Sequence, residues 1–339
     1  MKKVAVVILN WNGVAHLKQF LPSVVEHTTS ELADVVVADN GSTDESISFL
    51  RKEYPSVQLI QLDQNYGFAG GYNKAILQIK NEYTVLLNSD VEVTPNWLEP
   101  LVNAMEKNEK MAACQPKVRA FRNRPYFEHA GAAGGFIDTL GYPFCRGRIM
   151  DNTEEDKGQY DSLMPIFWAT GACMMVRTNQ FLELGGLDDR FFAHMEEIDW
   201  CWRMKNNGGE VWTIPSSTVF HLGGATLGYE SPRKVYLNFR NSLFMLGKNL
   251  HRKEFLSKLF IRMILDGVAA FKFLLEGKGS FFMAILRAHM AFYSNCSYWM
   301  KERKKLPNKI LLKNHSGVLN GSIVWHYFVK KHQKFSDLF

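Results

Sequence analysis

The stretch Tyr83–Pro95, YTVLLNSDVEVTP, decides the fold, because an apolar run in it leads directly into a polar cluster. The run Thr84–Leu87 is typical of a central strand in an α/β sheet. Asp90 and Glu92 follow at the carboxyl end of this strand, where open α/β sheets bind ligands. Carboxylates there suit Mg²⁺ or Mn²⁺, which proteins commonly hold together with substrate phosphates. A plain polar loop before a helix explains the stretch equally well.

The flanking sequence repeats the alternation of strand and helix. Apolar runs predict further strands at Lys3–Leu9, Asp34–Ala38, Val57–Leu62 and Met111–Val118, most of them separated by helical segments. This alternation predicts parallel βαβ units and an α/β fold. The glycine-rich loop Asn65–Asn73 opens a helix, where backbone N–H groups can approach a phosphate. Simple turn chemistry also accounts for the loop, which is not the dinucleotide-binding fingerprint.

The sequence after residue 120 is less regular. Ala120–Leu163 is rich in Gly, Arg and aromatic residues and predicts a long irregular loop, which is usually functional or mobile. Phe167–Val176, Glu210–Ile214 and Thr218–His221 predict strands. His221 ends the last of these, directly before a Leu-Gly-Gly sequence. A single His on an apolar strand is usually a packed core residue, but at a strand exit it is also placed to be a ligand.

Three carboxylates, Glu196, Glu197 and Asp199, lie at the start of a predicted helix among Phe, Met, Trp and Ile residues. Asp199 can pair with Arg203 at the i,i+4 spacing. Acidic groups in such apolar surroundings predict a raised pKa and a catalytic base. The alternative is a set of acids favoured by the helix dipole together with a structural ion pair.

Composition limits the class of protein. The 339 residues, 46% of them hydrophobic, suffice for one large domain or two smaller ones. Five scattered cysteines without metal-ligand spacing indicate a reducing compartment and no structural zinc. The short apolar run after Lys2-Lys3 lacks a cleavage site, so it predicts a strand and not a signal peptide. No apolar run reaches the roughly 18 residues of a membrane-crossing helix.

Charge divides the chain into two unequal parts. Through Glu230 there are 20 Lys and Arg against 29 Asp and Glu, a net charge of −9. From Ser231 onward there are 20 against 5, a net charge of +15. This asymmetry predicts a catalytic domain over residues 1–245 and a basic amphipathic helical region over residues 246–339.

The basic region predicts a helix in which Lys258, Arg262 and Asp266 share one face, while Phe260 and Phe271 lie on the apolar side. Basic amphipathic helices with aromatic residues suit an anionic membrane surface. We therefore expect a cytoplasmic protein, peripheral on the inner face of the plasma membrane. A soluble helical cap is the alternative. Nucleic-acid binding is not expected, because no recognition motif accompanies the charge.

Several short motifs, each weak alone, occur in a recognisable order. They are Asn10-Trp11-Asn12, VVVADNGSTD at Val35–Asp44, NYGFAGGYN at Asn65–Asn73, LLNSD at Leu86–Asp90, MEEIDWCWR at Met195–Arg203, and His221. Together they resemble the family 2 glycosyltransferases, and more closely the rhamnosyltransferase-like branch that builds bacterial surface polysaccharide. The resemblance covers roughly residues 1–245 and implies the GT-A fold, a Rossmann-like, mostly parallel sheet flanked by helices.

The resemblance also implies roles for single residues. Asp39 would bind the nucleobase, and Trp11 would lie against it. Asp90 would hold the divalent metal, with His221 as second ligand, and Glu197 would be the catalytic base. The implied nucleotide-sugar-binding residues are Asn10, Trp11, Asp39, Asn65, Gly67, Asn88, Arg203 and Arg240, the last in a trailing motif with Tyr236 and Asn241.

Two positions depart from the family pattern. The usual metal triplet is Asp-x-Asp, but Asn88-Ser89-Asp90 stands here, so metal binding would be weaker or would depend on Glu92 and His221. The family's base is more often Asp than Glu. Because Glu197 is one methylene longer, either the acceptor lies further back or Glu196 shares the role.

The reaction implied is one inverting displacement, in which Glu197 deprotonates an acceptor hydroxyl as that oxygen attacks the anomeric carbon. The donor would be dTDP-rhamnose or a UDP-hexose, and the acceptor a glycan or a polyprenyl-linked sugar. Two other classes were weighed: a nucleotide-sugar binding protein without turnover, motivated by the altered triplet, and a sugar nucleotidyltransferase. The first has no need of Glu197, and the second lacks its glycine-rich basic loop after the first strand.

Overall fold

The stretch Tyr83–Asn88 forms a buried strand in the computed structural model, which describes residues 2–223, 231–306 and 308–339. The strands are β1 (Val4–Asn10), β2 (Ala33–Asp39), β3 (Gln58–Gln61), β4 (Tyr83–Asn88), β5 (Val91–Val93), β6 (Met111–Ala120), β7 (Gly135–Asp138), β8 (Pro143–Cys145), β9 (Arg148–Ile149), β10 (Asn152–Thr153), β11 (Met164–Ile166), β12 (Cys173–Arg177), β13 (Glu210–His221) and β14 (Val318–Leu319). The α-helices are α1 (Val14–His27), α2 (Ser46–Glu53), α3 (Gly67–Ile76), α4 (Glu99–Lys107), α5 (Thr178–Glu183), α6 (Glu196–Asn206), α7 (Pro232–Asn249), α8 (Arg252–Leu275), α9 (Gly279–Ser294), α10 (Cys296–Lys305) and α11 (Ile323–Phe328).

The main sheet has the strand order β11-β13-β6-β12-β4-β1-β2-β3, and β5 pairs with β13 outside this path. Strands β3, β2, β1 and β4 are parallel neighbours. Beyond β4, strand β12 is antiparallel to both β4 and β6, and β13 lies parallel to β6. The α/β prediction is therefore confirmed and β4 is an inner strand, while the half of the sheet beyond it is mixed.

Both faces of this sheet are covered, as the alternation of side chains along β1 shows. Ala5 and Val7 belong to one buried cluster, which also contains residues of α3 and α6. Val4, Val6 and Ile8 belong to a second cluster, with residues of α1 and α4. Successive side chains of a strand point to opposite faces, so an uninterrupted apolar strand requires a helix layer on each side.

The parallel register brings polar strand ends to one edge of the sheet. Asn10 lies opposite Asp39 in the β1–β2 pair, and Leu9 lies opposite Asn88 in the β1–β4 pair. The three strands thus end at nearly the same level. The side chains that follow them can be reached from one groove.

Two strand predictions were wrong in extent. Glu210–His221 is a single strand whose register against β6 shifts between Ile214 and Thr218, so a bulge joins the two predicted pieces. In the predicted strand Phe167–Val176, only the part from Cys173 belongs to β12. The preceding residues instead bond to Gly135, whose carbonyl accepts from the N–H of Phe167 (2.8 Å).

Residues 120–163 contain a small sheet, so the prediction of an irregular loop was wrong there. Its strand order is β10-β9-β8-β7-β14. The strands contributed by this region are two to four residues long, and turns such as Gly141 and Gly147 have positive φ. Strands this short show no periodicity in the sequence. Strand β14, from the C-terminal part of the chain, pairs parallel to β7.

The predicted division at residue 245 lies inside helix α7 and does not coincide with a break in the structure. Leu243 and Leu246, on either side of the division, belong to the same buried cluster as Ala5 and Val7 of the main sheet. Trp299 of α10 joins this cluster as well. The C-terminal helices therefore share a core with the α/β part.

Helix α8 buries the face that its sequence predicts to be polar. Arg262 and Asp266 are buried, whereas Phe260 and Phe271 are 66% and 59% exposed. Arg262 lies over the ring of Tyr142, with 3.7 Å between its guanidinium carbon and the ring centre, and 3.7 Å from Asp266. These contacts compensate the buried charge of Arg262, and the apolar face of α8 points toward solvent. Among the described residues, no helix is both long and apolar enough to cross a membrane.

Replacing Asp266 by Ala tests the buried ion pair. We expect Asp266→Ala to lower the free energy of unfolding by about 3–5 kcal/mol, because it leaves the Arg262 charge buried without its partner. Glu276→Ala removes an exposed pair with Lys272 on the same helix and should cost less than about 1 kcal/mol. Urea unfolding measures both, and equal losses would contradict the burial of the Arg262–Asp266 pair.

Candidate active site

Asn10 and Asp39, the last residues of β1 and β2, form a buried polar pair. Asn10 Nδ2 donates to Asp39 Oδ2 (3.0 Å), and the N–H of Ser42 donates to Asp39 Oδ1 (2.9 Å). Asn10 Oδ1 is buried and has no hydrogen-bond partner within the described residues. This oxygen faces Gly13, whose lack of a side chain leaves room for it.

Trp11 follows this pair and is 51% exposed. The turn behind it is fixed by Asn12, which has φ +48° and whose Oδ1 accepts from the N–H of Thr43 (2.7 Å). An exposed indole next to a buried carboxylate offers an apolar face to a planar ring. The structure thus brings together three of the predicted nucleotide-binding residues, Trp11, Asn10 and Asp39.

Asn40 fixes the glycine-rich loop, a role that the sequence analysis missed. Its Nδ2 donates to Asn65 Oδ1 (3.1 Å) and to the carbonyl of Gly67 (3.0 Å), and its Oδ1 accepts from the N–H of Tyr66 (3.0 Å). Asn65 and Gly67, two of the predicted nucleotide-binding residues, therefore lie close to Asp39. The position of Asn40 directly after the strand-end carboxylate was the signal in the sequence.

Position 67 requires a glycine. Its φ is +72°, and a Cβ there would lie 2.9 Å from the ring of Phe192. The N–H of Phe68 also donates to the carbonyl of Phe192 (3.1 Å). The glycine-rich loop is therefore in contact with the segment that leads into helix α6.

Asp90 and His221 face each other at the end of β13. His221 Nε2 lies 3.2 Å from Asp90 Oδ1 and 3.5 Å from Asn88 Nδ2, and His221 Nδ1 lies 3.5 Å from Glu128 Oε2. Burial alone would lower the pKa of His221, but the two carboxylates raise it to about 10. Burial would raise the pKa of Asp90, yet its bond to His221 holds it below the usual value. No pattern in the sequence pointed to Glu128.

Glu92 does not join this cluster. It lies opposite Phe220 in the β5–β13 pair, whereas His221 lies opposite Val91, so the two side chains point to different faces. Its carboxylate instead accepts a hydrogen bond from Arg124 (2.7 Å). The predicted metal set is thus reduced to Asp90 and His221.

These two residues fit a divalent metal in part. The described ranges contain no group of three or more His, Cys, Asp or Glu side chains that could hold a metal by themselves. A carboxylate and a neutral imidazole are suitable ligands for Mn²⁺, so a bound metal would displace the proton that the two carboxylates hold on His221. Such ions usually complete their coordination with substrate phosphates and water. The arrangement fits a metal that binds together with a phosphorylated substrate.

Glu196 and Glu197 begin helix α6, and they differ in access. Glu196 is buried and Glu197 is partly exposed. Burial raises the pKa of Glu197 to about 7, and burial with the neighbouring charge of Glu197 raises the pKa of Glu196 well above its usual value. Each carboxylate has a buried Oε2 without a hydrogen-bond partner in the described chain. Glu197 is therefore the accessible carboxylate with a pKa suited to a base at neutral pH.

Glu197 lies close to the glycine-rich loop. A Cβ added to Gly171 would lie 2.9 Å from the ring of Phe68 and 3.9 Å from Glu197 Cβ. Phe68 follows Gly67, which the Asn40 amide contacts. Glu197, the glycine-rich loop and the Asn40 amide that holds the loop therefore lie close together, between β12, α3 and α6.

Asp199 belongs to a structural ion-pair network, which corrects its prediction as a catalytic residue. It is fully buried. Its Oδ2 accepts from Arg203 Nε and Lys248 Nζ (both 2.8 Å), and its Oδ1 accepts from Asn249 Nδ2 (2.7 Å). With both oxygens occupied, this carboxylate has no accessible site for a substrate proton. It instead ties helix α6 to helix α7.

Arg203 is likewise structural and not a nucleotide ligand. Besides Asp199, it donates to the carbonyls of Leu184 (2.8 Å) and Gly186 (2.7 Å). Arg203 and Lys248 both line a cavity of about 930 Å³. The other predicted nucleotide-binding and metal-binding residues all lie in the described part of the chain, and none of them lines this cavity.

Arg240 contacts protein backbone and not an open groove. Its Nη2 donates to the carbonyls of Arg190 (2.9 Å) and Phe191 (3.0 Å), and its Nε donates to Asn241 Oδ1 (2.9 Å). These carbonyls precede helix α6. Its predicted role beside the donor is therefore indirect, through this segment.

A family model and several known proteins match this chain. The family model described as "Glycosyl transferase family 2" matches residues 5–179, from β1 to the start of α5. The N-acetylglucosaminyl-diphospho-decaprenol L-rhamnosyltransferase of Mycobacterium tuberculosis is 27% identical over 260 residues, which cover 71% of this chain and 83% of that protein.

Solved structures share the fold. The complex of S. aureus TarS 1–349 with UDP-GlcNAc has a TM-score of 0.55 at 15% identity and covers 90% of this chain and 89% of that one. The mannosyltransferase PcManGT from Pyrobaculum calidifontis, in complex with GDP-Man and Mn²⁺, has a TM-score of 0.52 at 14% identity, with coverages of 90% and 84%. The expected GT-A fold is confirmed.

The raised pKa of Glu197 predicts a pH-dependent effect on stability. A carboxyl with a folded pKa near 7 and an unfolded pKa near 4.5 stabilises the fold fully only below about pH 4.5, and this contribution is lost as the pH rises through 7. Glu197→Gln should therefore increase the free energy of unfolding by roughly 2 kcal/mol at pH 8 but little at pH 4. Denaturant unfolding at both values checks this, with the exposed Glu53→Gln as control. Equal gains at pH 4 and pH 8 would contradict it.

Proposed function

Because the chain belongs to glycosyl transferase family 2, we propose that it moves a sugar, with inversion, from a nucleoside-diphosphate sugar to an acceptor hydroxyl. The observation that carries the proposal is the sequence of groups along one edge of the sheet. Asp39 with Asn10 lies at one end, the Asp90–His221 pair lies further along, and Glu197 lies beside the glycine-rich loop. This order matches the nucleoside, the diphosphate and the reacting sugar of such a donor.

Asp39 and Trp11 are the proposed contacts of the nucleobase. Each Asp39 oxygen accepts one protein hydrogen bond, from Asn10 or from Ser42, and keeps a second lone pair that can accept from a ring N–H. The exposed indole can stack on the base. The related Mycobacterium tuberculosis protein is a rhamnosyltransferase, and TarS 1–349 was solved with UDP-GlcNAc. We therefore keep dTDP-rhamnose and a UDP-hexose as the two donor classes.

Glu197 is the proposed base. Its carboxylate takes the proton of the acceptor hydroxyl while that oxygen forms a bond to the anomeric carbon. The bond from this carbon to the diphosphate oxygen breaks, and the nucleoside diphosphate leaves with the electron pair. A pKa near 7 lets Glu197 be ionised at neutral pH and still hold the proton after transfer.

Asp90 and His221 are the proposed ligands of Mg²⁺ or Mn²⁺. The metal, when bound, would neutralise charge on the departing diphosphate. On the protein side of this site, Glu128 lies 3.5 Å from the second nitrogen of His221 and Asn88 lies 3.5 Å from the first.

The acceptor is proposed to be a glycan or a polyprenyl-linked sugar in cell-surface polysaccharide synthesis, as the name of the mycobacterial relative describes. A nucleotide-sugar binding protein without turnover is the alternative. It would follow from the missing first carboxylate at Asn88. A largely desolvated Glu197 with a raised pKa favours the transferase, because desolvating an ionisable group is costly and a binding protein gains nothing from it.

Transfer assays test this function directly. With dTDP- and UDP-sugars and polyprenyl-diphosphate-linked N-acetylglucosamine, we expect release of nucleoside diphosphate that is lost in EDTA. The value of kcat/KM should rise with pH around a midpoint near 7, because Glu197 must be ionised. Glu197→Gln should lower kcat by about 10²–10⁴-fold.

Glu196→Gln serves as the matched control and should retain most of the activity, because Glu196 is buried. Turnover that survives in Glu197→Gln but not in Glu196→Gln would move the base to Glu196. Donor binding without release under every condition would favour the binding-protein alternative.

We also propose that the C-terminal helices attach the enzyme to an anionic membrane surface. The outward face of α8 carries exposed apolar side chains at helical spacing, and α11 adds further ones. They are Leu256, Phe260, Ile264, Val268, Phe271, Leu275, Trp325 and Phe328. An apolar face of this extent is unusual for a surface exposed to water.

Charge complementarity selects a membrane as the occupant of this face. From residue 231 onward the chain has 20 Lys and Arg against 5 Asp and Glu. The anionic headgroups of a membrane would attract this charge, and its interface would accept the aromatic side chains. Such attachment would bring the enzyme to a lipid-linked acceptor.

Vesicle binding tests the attachment. With vesicles of phosphatidylglycerol and phosphatidylcholine, the double variant Phe260→Glu/Phe271→Glu should bind at least about tenfold more weakly. Two aromatic side chains that would be buried in the membrane interface are lost in this variant. Leu77→Glu changes a residue that is 70% exposed in the α/β part and should have no effect. Binding should also weaken at high salt.

Unchanged binding of the double variant would overturn the proposed attachment. A loss of self-association in the double variant, seen by sedimentation and without any effect on vesicles, would instead assign the face to a second copy of the chain.

A further inference from the structure

The segment before helix α6 has an unusual backbone. Phe192, His194 and Met195 have φ values of +65°, +71° and +72°. Residues with a Cβ are disfavoured in this region, and such strain persists only when the surroundings impose it. Something must therefore hold this segment in place.

One side chain supplies much of that restraint. Asn241 of helix α7 is fully buried, and its Nδ2 lies within hydrogen-bond distance of three carbonyl oxygens. They are those of Phe191 (3.0 Å), Ala193 (2.9 Å) and His194 (2.8 Å). One amide group thus contacts three of the carbonyls in the strained segment.

Arg240 fixes the orientation of this amide. Its Nε donates to Asn241 Oδ1, so the amide nitrogen faces the segment and the oxygen faces the guanidinium. The same guanidinium donates to the carbonyls of Arg190 and Phe191. The Arg240-Asn241 pair therefore bonds the carbonyls of four of the five residues from Arg190 to His194, all except Phe192.

The segment is in contact with the reacting groups on both sides. The carbonyl of Phe192 accepts from the N–H of Phe68 in the glycine-rich loop. The carbonyl of Met195 accepts from the N–H of Asp199 (2.8 Å) in the first turn of helix α6. The same turn carries Glu197. A shift of this backbone would move Glu197 relative to a bound donor.

We propose that Asn241, oriented by Arg240, is a positioning residue for the transfer reaction: it holds the segment Arg190–Met195 in the strained form that aims Glu197. This inference rests on the proposed function in naming Glu197 as the base. The restraint itself is a property of the fold and can be measured without any substrate.

The glycine-rich loop is held separately by Asn40, so the effects of losing Asn241 and of losing Asn40 can be told apart. Asn40 holds Asn65, Tyr66 and Gly67 with three hydrogen bonds that do not involve Asn241. Loss of Asn241 should therefore act on the chemical step and spare donor affinity. Loss of Asn40 should do the opposite.

The test uses Asn241→Asp, which keeps the volume and removes the donor group. We expect kcat to fall on the order of 100-fold, as for a displaced catalytic group, with the dissociation constant for the nucleoside diphosphate within about twofold. Amide hydrogen exchange over residues 191–198 should become faster. Asn40→Ala should raise the dissociation constant by about tenfold, the loss expected for one hydrogen bond, with a smaller effect on kcat.

Ser242→Ala is the matched control, because Ser242 is also buried on α7 but donates no bond to the segment; its Oγ accepts from Arg262. If Asn241→Asp does not fold, Arg240→Met removes the orienting bonds from a more accessible position and should lower kcat about tenfold.

Wild-type exchange and wild-type kcat in Asn241→Asp would overturn the proposal, as would an equal loss of kcat in Ser242→Ala. Faster exchange over residues 191–198 in a protein that transfers no sugar from any donor would uphold the restraint and reject the proposed function.

Discussion

The parallel pairing of β1 with β2 and β4 determines where this chain can do chemistry. The pairing sets Asn10 opposite Asp39 and ends β4 at the same level, so the polar strand ends form one edge. A shift of the register by one residue would turn the alternating apolar side chains to the wrong faces, and both buried clusters would be lost. The requirement to bury two faces therefore also fixes the positions of the nucleotide-binding groups.

Helix α6 carries acidic residues of two different kinds within one turn. Asp199 is paired with two cations and an amide, and this network joins α6 to α7. Glu196 and Glu197 have no such cation among the described contacts, and burial raises the pKa of both. The same helix is thus anchored by one carboxylate and left reactive at another. What distinguishes them is the presence of Lys248 and Arg203 and not their position in the sequence.

The sequence predicted most strands of the α/β part and the edge where the site lies, because these depend on local pattern and on parallel topology. The association of Asp90 with His221 came instead from the resemblance to the family. The sequence offered the Asp199–Arg203 ion pair only as an alternative, since the further partners that decide it, Lys248 and Asn249, lie on a helix some 50 residues later in the chain. Glu92 was misassigned because the pairing of β5 with β13 decides its face. Glu128 and Asn241 act through contacts between segments that are distant in the chain, which leave no periodic signal, and Asn40 was marked only by its position directly after Asp39.

The pairing of β14 with β7 has a consequence for the synthesis of the protein. Strand β7 ends at Asp138 and β14 begins at Val318, so the ribosome must add about 180 residues before that edge can close. Until then the nascent chain presents an unpaired strand next to exposed aromatic residues, a combination that promotes association between chains. A chain interrupted before Val318 would keep this edge open and would therefore be more prone to associate with other chains.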